Sequence, residues 1–301
     1  MNICSLCLKN KPLEQSHIIP SFVGNWLKKT SVTGYLRQAV KPNLRRQDIL
    51  KQTLLCGDCE LLLSKDEQKF AENIFTPYVE TELNEWGVAQ GKLKTLKYNS
   101  WLLRFVIGLQ WKSLITHEEI AEDIPTIRNF DQVVSEALKI WSDFLLNNRD
   151  DTGEQRHHIV FLQNLMTGNG YLPQNINDRV NFYLLRSVDS TLALSPKTLF
   201  LFSKLGPIVI ISGLKPARIE KMNDSIIRLK GHMPLAQNLR NTLINDFIFI
   251  TRPNEAFKEY NLSEKQLRLI DSDVRSKIKY SKNQHEIKAA YSDNLMHERN
   301  R

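Results

Sequence analysis

The sequence predicts an α+β protein: a small metal-stapled module over residues 1–75, then a larger domain over residues 76–301 that is first helical and then mixed α+β. Three observations predict this. All four cysteines, Cys4, Cys7, Cys56 and Cys59, fall in the first fifth of the chain. From Glu80 to about Asn147 apolar residues recur at a helical period. Beyond a polar, turn-rich connector at 147–153 they gather instead into short runs separated by Gly, Pro, Asn and Asp.

A chain of 301 residues exceeds one typical domain, so two are expected. With 42% hydrophobic and 25% charged residues it can bury a core, which excludes wholesale disorder. Its longest uncharged apolar stretches, such as Gly206 to Leu214, fall well short of the about twenty residues of a membrane span. The N-terminus shows no basic region followed by an apolar one, so a cytoplasmic protein is expected. A net charge of +8 permits a polyanionic partner without requiring one.

The first element is the knuckle Cys4-x-x-Cys7, and its counterpart Cys56-x-x-Cys59 follows a long linker. In a cytosolic chain disulfides are disfavoured. Two C-x-x-C pairs with no cysteine left over suit a tetrahedral Cys4 zinc site, closed to substrate and therefore structural. A pair of redox motifs or four unrelated buried thiols are the alternatives. Such a zinc would weld a segment too poor in core to fold alone.

Next comes Leu13-Glu14-Gln15-Ser16-His17-Ile18-Ile19-Pro20, a strand-compatible run ended by proline, with a histidine set in it. By itself such a histidine reads most simply as packed and hydrogen-bonded. Between Ser21 and Lys51 lie Lys28, Lys29, Arg37, Lys41, Arg45, Arg46 and Lys51 against a single acid, Asp48. Charge alone fits a solvated face equally well. After the second knuckle, residues 58–75 read as one amphipathic helix with Leu63, Phe70 and Ile74 on a stripe, stopped near Thr76-Pro77.

The order C-x-x-C, His17-Ile18-Ile19-Pro20, then Leu54-Leu55-Cys56-Gly57-Asp58-Cys59 and a helix resembles the HNH (ββα-metal, His-Me finger) endonucleases in their zinc-stapled form. The resemblance covers about the first quarter of the chain and implies a treble-clef-like ββα-metal module. It implies that His17 is the general base for a water attacking a phosphodiester, and that a divalent cation, Mg2+ or Mn2+, stabilises the leaving oxygen. Glu60, directly after Cys59, falls where the family places a ligand of that catalytic metal.

The chain departs from the family at two positions. Ser16 stands where an acid normally precedes the histidine, and Lys51 stands at the middle asparagine, with Asn43 the nearest asparagine in another register. Glu14, two residues before Ser16 and on the same strand face, is a candidate for the missing carboxylate. Glu67 shares a helix face with Glu60, or closes a capping box from Ser64. In such a module the basic linker lies near the nucleic-acid backbone, where its Lys and Arg side chains would neutralise phosphates. Trp26 and Tyr35, interleaved with these charges, either stack on bases or pack inward.

In the larger domain, Trp101, Phe105 and Leu109 mark one helix, and Val134, Leu138, Trp141 and Leu145 another. The runs Ile159–Leu162, Phe182–Leu185, Leu199–Phe202 and Ile208–Ile211 read as strands, with a hairpin turn in Ser203–Pro207. Leu235–Phe249 and Ser263–Tyr280 return to a helical period, Ser263 opening a capping box with Gln266, and the tail from Ser281 reads as frayed. His157 and His158 read as structural.

The expected function is therefore metal-dependent endonucleolytic hydrolysis of nucleic acid, DNA rather than RNA, with residues 76–301 serving a protein partner, self-association or substrate selection. Compact HNH proteins of this layout resemble effectors of bacterial defence systems, an analogy of architecture only. The competing reading is a catalytically degenerate, zinc-anchored protein that binds nucleic acid or acts as a scaffold or regulator.

Overall fold

A computed structural model describes residues 3–121, 130–165, 175–195, 197–277 and 285–299. It is a mixed α+β protein with the four cysteines clustered near its N-terminus.

The N-terminal segment is built on an antiparallel strand pair, β1 (Leu13–His17) and β4 (Lys51–Cys56), with Leu13 opposite Cys56 and His17 opposite Lys51. Strand β4 passes directly into α2 (Gly57–Phe70). Between the strands lie α1 (Ser21–Lys29) and a hairpin of β2 (Leu36–Gln38) with β3 (Lys41–Arg46). Pro20, three residues after β1, stands at the N-cap of α1 and, at φ −55°, sets the chain for its first turn. Helix α1 passes close over Ile49, whose Cγ2 would lie 3.2 Å from a Cβ at Gly24.

The helix expected to stop at Thr76-Pro77 does not stop there. After Phe70 it widens into a π segment at Ala71–Phe75, carries Pro77 at φ −57°, and ends in a second π segment at Tyr78–Glu82. A π turn re-routes the backbone bonds that proline would otherwise break, and the burial of Ile74, Phe75, Tyr78 and Val79 rewards the continuation. Residue 75 thus lies inside a continuous helical run.

The helical period expected from Glu80 is likewise interrupted. Gly87 and Gly91 adopt φ of +73° and +67°, and the buried Glu82 carboxylate accepts the N–H groups of Gly91 and Leu93, so the chain turns away from the helix. Strand β5 (Thr95–Tyr98) follows and pairs with β10 (Gly231–Pro234). Helices α3 (Ser100–Ala121) and α4 (Asp131–Leu145) then appear where the apolar spacing puts them. The stacked rings of Phe70 and Phe105, 4.0 Å between centroids, lock α2 to α3.

A four-stranded antiparallel sheet, in the order β6 (His157–Phe161), β9 (Ile208–Lys215), β8 (Thr198–Leu205), β7 (Val188–Ser195), forms the centre. Both faces are covered. Ile159, Leu201 and Ile210 face the core shared with α2, α3 and the cysteines, while Val160, Phe202 and Ile211 face a second core. Two buried faces explain why these strands read as unbroken apolar runs. Gly206, at φ +61°, makes the turn between β8 and β9 within the expected Ser203–Pro207.

Phe182–Leu185, expected as a strand, belongs to α5 (Val180–Arg186), whose first amides at Asn181 and Phe182 donate to Asp293 from the far end of the chain. The strand at β7 and the hairpin β2–β3 were not marked by alternation. Leu235–Phe249 becomes helical only at α6 (Thr242–Asp246), where Asn241 Oδ1 accepts from Ile244 N; a π segment (Phe247–Thr251) and α7 (Arg252–Phe257) follow. Helix α8 (Glu264–Lys277) begins at Ser263, whose Oγ accepts from Gln266 N at 3.4 Å; residues 278–280 of the expected helix lie outside the described residues. The tail expected to fray is helix α9 (His285–Arg299), packed on α5; residues 281–284 of it lie outside the described residues.

Glu67 has a structural task. Its carboxylate meets the fully buried Lys112 of α3 at 2.5 Å, and Ser64 sits inside the helix with its hydroxyl turned back to Leu61 O, so no capping box forms. Removing one partner leaves a buried charge alone. Glu67→Leu is therefore expected to cost about 3–5 kcal/mol in chemical denaturation, most of it restored by adding Lys112→Met.

Candidate functional site

The cysteines come together as the spacing requires. Leu8, at φ +57°, closes the first knuckle, with Cys4 N donating to Lys9 O and Leu8 N to Cys4 O. Cys56 ends β4 and stands at the N-cap of α2, and Cys59 lies in that helix's first turn. Ser5 N donates to Leu54 O, joining the knuckles. The four sulfurs all lie within 4.8 Å of one another, and Cys7 Sγ and Cys56 Sγ are 3.9 Å apart. A tetrahedron with Zn–S bonds of about 2.3 Å has edges of about 3.8 Å, so the set fits a zinc ion.

The thiols are poorly suited to one another without a cation. Burial pushes the Cys59 thiol far up, and neighbouring Cys7 and Cys4 add to the shift. Burial also acts on Cys4, but N–H donors from Cys7, Cys56 and Leu6 overcome it and bring that thiol down to about 7. Four thiolates in one buried cluster require a positive charge at its centre. Among the described residues this is the only group of three or more potential metal ligands.

Beside this centre, β1 carries Ser16 against Glu60 of α2, and His17, the next residue, ends the strand opposite Lys51. Ser16 is fully buried, and its hydroxyl donates to Glu60 Oε2 at 2.7 Å. Glu14 is exposed, and a bulge shifts the register between Glu14 and Gln15; its Oε1 lies 3.9 Å from where a Gly57 Cβ would be, and it makes no bond to Glu60. Gln52, paired opposite Ser16, accepts from Thr116 Oγ1 of α3 at 2.9 Å and ties the corner to the helical layer.

His17 Nε2 lies 3.1 Å from both carboxylate oxygens of Asp48. Asp48 also meets Lys51 Nζ at 2.7 Å and accepts from Ile49 N. The Lys51 ammonium first, and His17 after it, hold the Asp48 carboxyl down to about 2 against the opposing effect of burial. A lowered carboxyl favours the folded state above its ordinary range near pH 4, and that contribution is lost as pH falls through about 2. Asp48 is the site residue sequence reasoning missed. Its one signal was being the lone acid in a basic stretch.

The seven basic linker residues divide. Lys28 donates to Gln47 O, Arg37 to Pro42 O and Gln266 Oε1, and Lys51 pairs with Asp48, so these three are used by the protein itself. Lys29, Lys41, Arg45 and Arg46 are exposed, the last three on strand β3, and Arg46 also donates to Gln38 Oε1 at 3.3 Å. Arg45 lies over the Tyr35 ring at 4.6 Å. Trp26 packs inward, edge-on to Phe75 and under Arg186, and is not free to stack on a base. Asn43 holds the loop before α8 through Asn261 O and Ser263 N.

His157 and His158 are buried and bonded to Ser212 and Ser225, and burial pushes them down to about 3 and about 4, so both are neutral structural residues. No helix of the described residues is long and apolar enough to cross a membrane. Compared with protein-family models, curated proteins and solved structures, the chain matches none.

Proposed function

We propose that the chain is a metal-dependent endonuclease of the HNH type that hydrolyses phosphodiester bonds of nucleic acid, with DNA the substrate to test first. The observation that carries this reading is the corner around Ser16. His17 follows it at the end of β1, and Glu60 is bonded to it from the helix that begins at the second cysteine pair. His17 takes a proton from water, whose oxygen forms a new bond to phosphorus as the bond to the leaving oxygen breaks; the leaving oxygen takes a proton from solvent and His17 returns its own to solvent, so the products are a phosphomonoester and a hydroxyl. Glu60 would hold a divalent cation, which when bound supplies positive charge at the leaving oxygen. Lys29, Lys41, Arg45 and Arg46 are exposed and would neutralise backbone phosphates.

The test is nicking of supercoiled plasmid by the purified chain with Mg2+ or Mn2+. Cleavage that disappears on removing the ion, and an ion requirement raised by Glu60→Ala, are the expected results; a Glu60→Ala protein with unchanged ion dependence takes Glu60 out of the site. DNA binding without cleavage at any ion concentration would favour the degenerate binding module, for which Ser16 at the acid position and Lys51 at the middle-asparagine position are the supporting observations. Neutralising Arg45 and Arg46 together is expected to reduce the log–log salt slope of DNA binding by about 2; an unaltered slope makes them bystanders.

A further inference from the structure

We propose that Asp48 is a positioning residue that fixes the tautomer of His17, with Lys51 holding the carboxylate in place; the inference rests on the reading of His17 as general base. A histidine acts as a base only through a ring nitrogen that carries no proton, so which nitrogen is protonated decides whether it can work. Both Asp48 oxygens lie 3.1 Å from Nε2, and an ionised carboxylate can only accept. Nε2 therefore carries the proton of the neutral ring, and the lone pair sits on Nδ1, which has no hydrogen-bond partner among the described residues.

The carboxylate is itself held from several directions. Ile49 N donates to Oδ1 at 2.9 Å, and Lys51 Nζ reaches Oδ2 at 2.7 Å. Lys51 is the residue directly opposite His17 in the β1–β4 ladder, so the imidazole and the ammonium leave adjacent strands as a cross-strand pair. The position where the family has an asparagine here belongs to the clamp around the base. Asp48 remains ionised throughout the neutral range, since its carboxyl is held at about 2 by Lys51 and then His17.

The experiment is two-bond 1H–15N NMR of the His17 ring in the whole zinc-loaded chain, with plasmid cleavage measured alongside. The wild-type ring is expected as the Nε2–H tautomer at pH values where it is neutral. Asp48→Asn, whose amide can donate to Nε2, is expected to shift the ring toward Nδ1–H and to lower cleavage by about 10²-fold or more. Asp48→Glu is expected to keep the tautomer and most of the cleavage, and Lys51→Met, a second variant, to mix the tautomers. A wild-type ring found as Nδ1–H, or an Asp48→Asn ring still wholly Nε2–H, overturns the proposal. If no form cleaves DNA but the tautomer switches as stated, the clamp stands and the nuclease reading falls. If wild type and Asp48→Asn cut equally with one unchanged tautomer, the nuclease reading stands and the clamp falls.

Discussion

Replacing Cys59 by alanine, or stripping metal from the protein with a chelator, is expected to unfold the N-terminal segment and weaken the whole chain. Structural zinc in small domains contributes about 10–16 kcal/mol of apparent binding free energy, comparable to or larger than the about 5–15 kcal/mol by which a whole domain is stable. The four thiols sit at the start of the core that continues through Leu54, Phe70 and Phe105 to the central sheet, so loosening them exposes one face of α2 and its contact with α3. Elemental analysis should find one zinc per chain, and circular dichroism should lose helix on chelation. A fully folded protein with no metal would remove the basis of the metal centre and, with it, the link to zinc-stapled nucleases.

The second large effect is on catalysis. His17→Ala is expected to lower plasmid cleavage by roughly 10²–10⁴-fold, the usual contribution of a positioned general base, while leaving zinc content unchanged and lowering the melting temperature by only a few degrees. The contrast follows from its surroundings. The His17 side chain is 22% exposed, ends its strand, and bonds only to Asp48, so its removal costs some packing and one bond but breaks no larger network. A structural histidine predicts the reverse, with stability lost and cleavage retained. Measuring cleavage and thermal unfolding on the same preparation separates the two.

Much of the site could be read from local spacing. Residues three apart at a knuckle, or at the first turn of a helix, have their side chains close together whatever surrounds them, so the two C-x-x-C pairs announced the metal centre. Glu60 followed from the same helix start, and its meeting with Ser16 depended only on β1 lying beside α2. The clamp on His17 was not legible in this way. It joins residues 17, 48 and 51 through a strand register, and a register is set by which faces are buried rather than by any short motif. The basic linker was only partly legible for a related reason. Charge counts in sequence do not reveal that Lys28, Arg37 and Lys51 are spent on carbonyls and carboxylates of the protein itself.

The sequence by itself determined the cysteine cluster, the helices α2, α3 and α4, three of the four central strands and the β8–β9 turn. In each case an apolar period or a turn residue acts over a few neighbouring positions. Tertiary structure decided the rest. Phe182–Leu185 is helical because Asp293 accepts its first amides from more than a hundred residues away. The segment after α2 runs on through Pro77 because buried contacts outweigh a missing N–H, and the C-terminal residues from His285 form a helix because α5 gives them a surface to pack on. Local propensities differ by about 1 kcal/mol or less per residue, except at proline, and burial of a few large side chains exceeds that, so wherever distant segments meet the packing prevails.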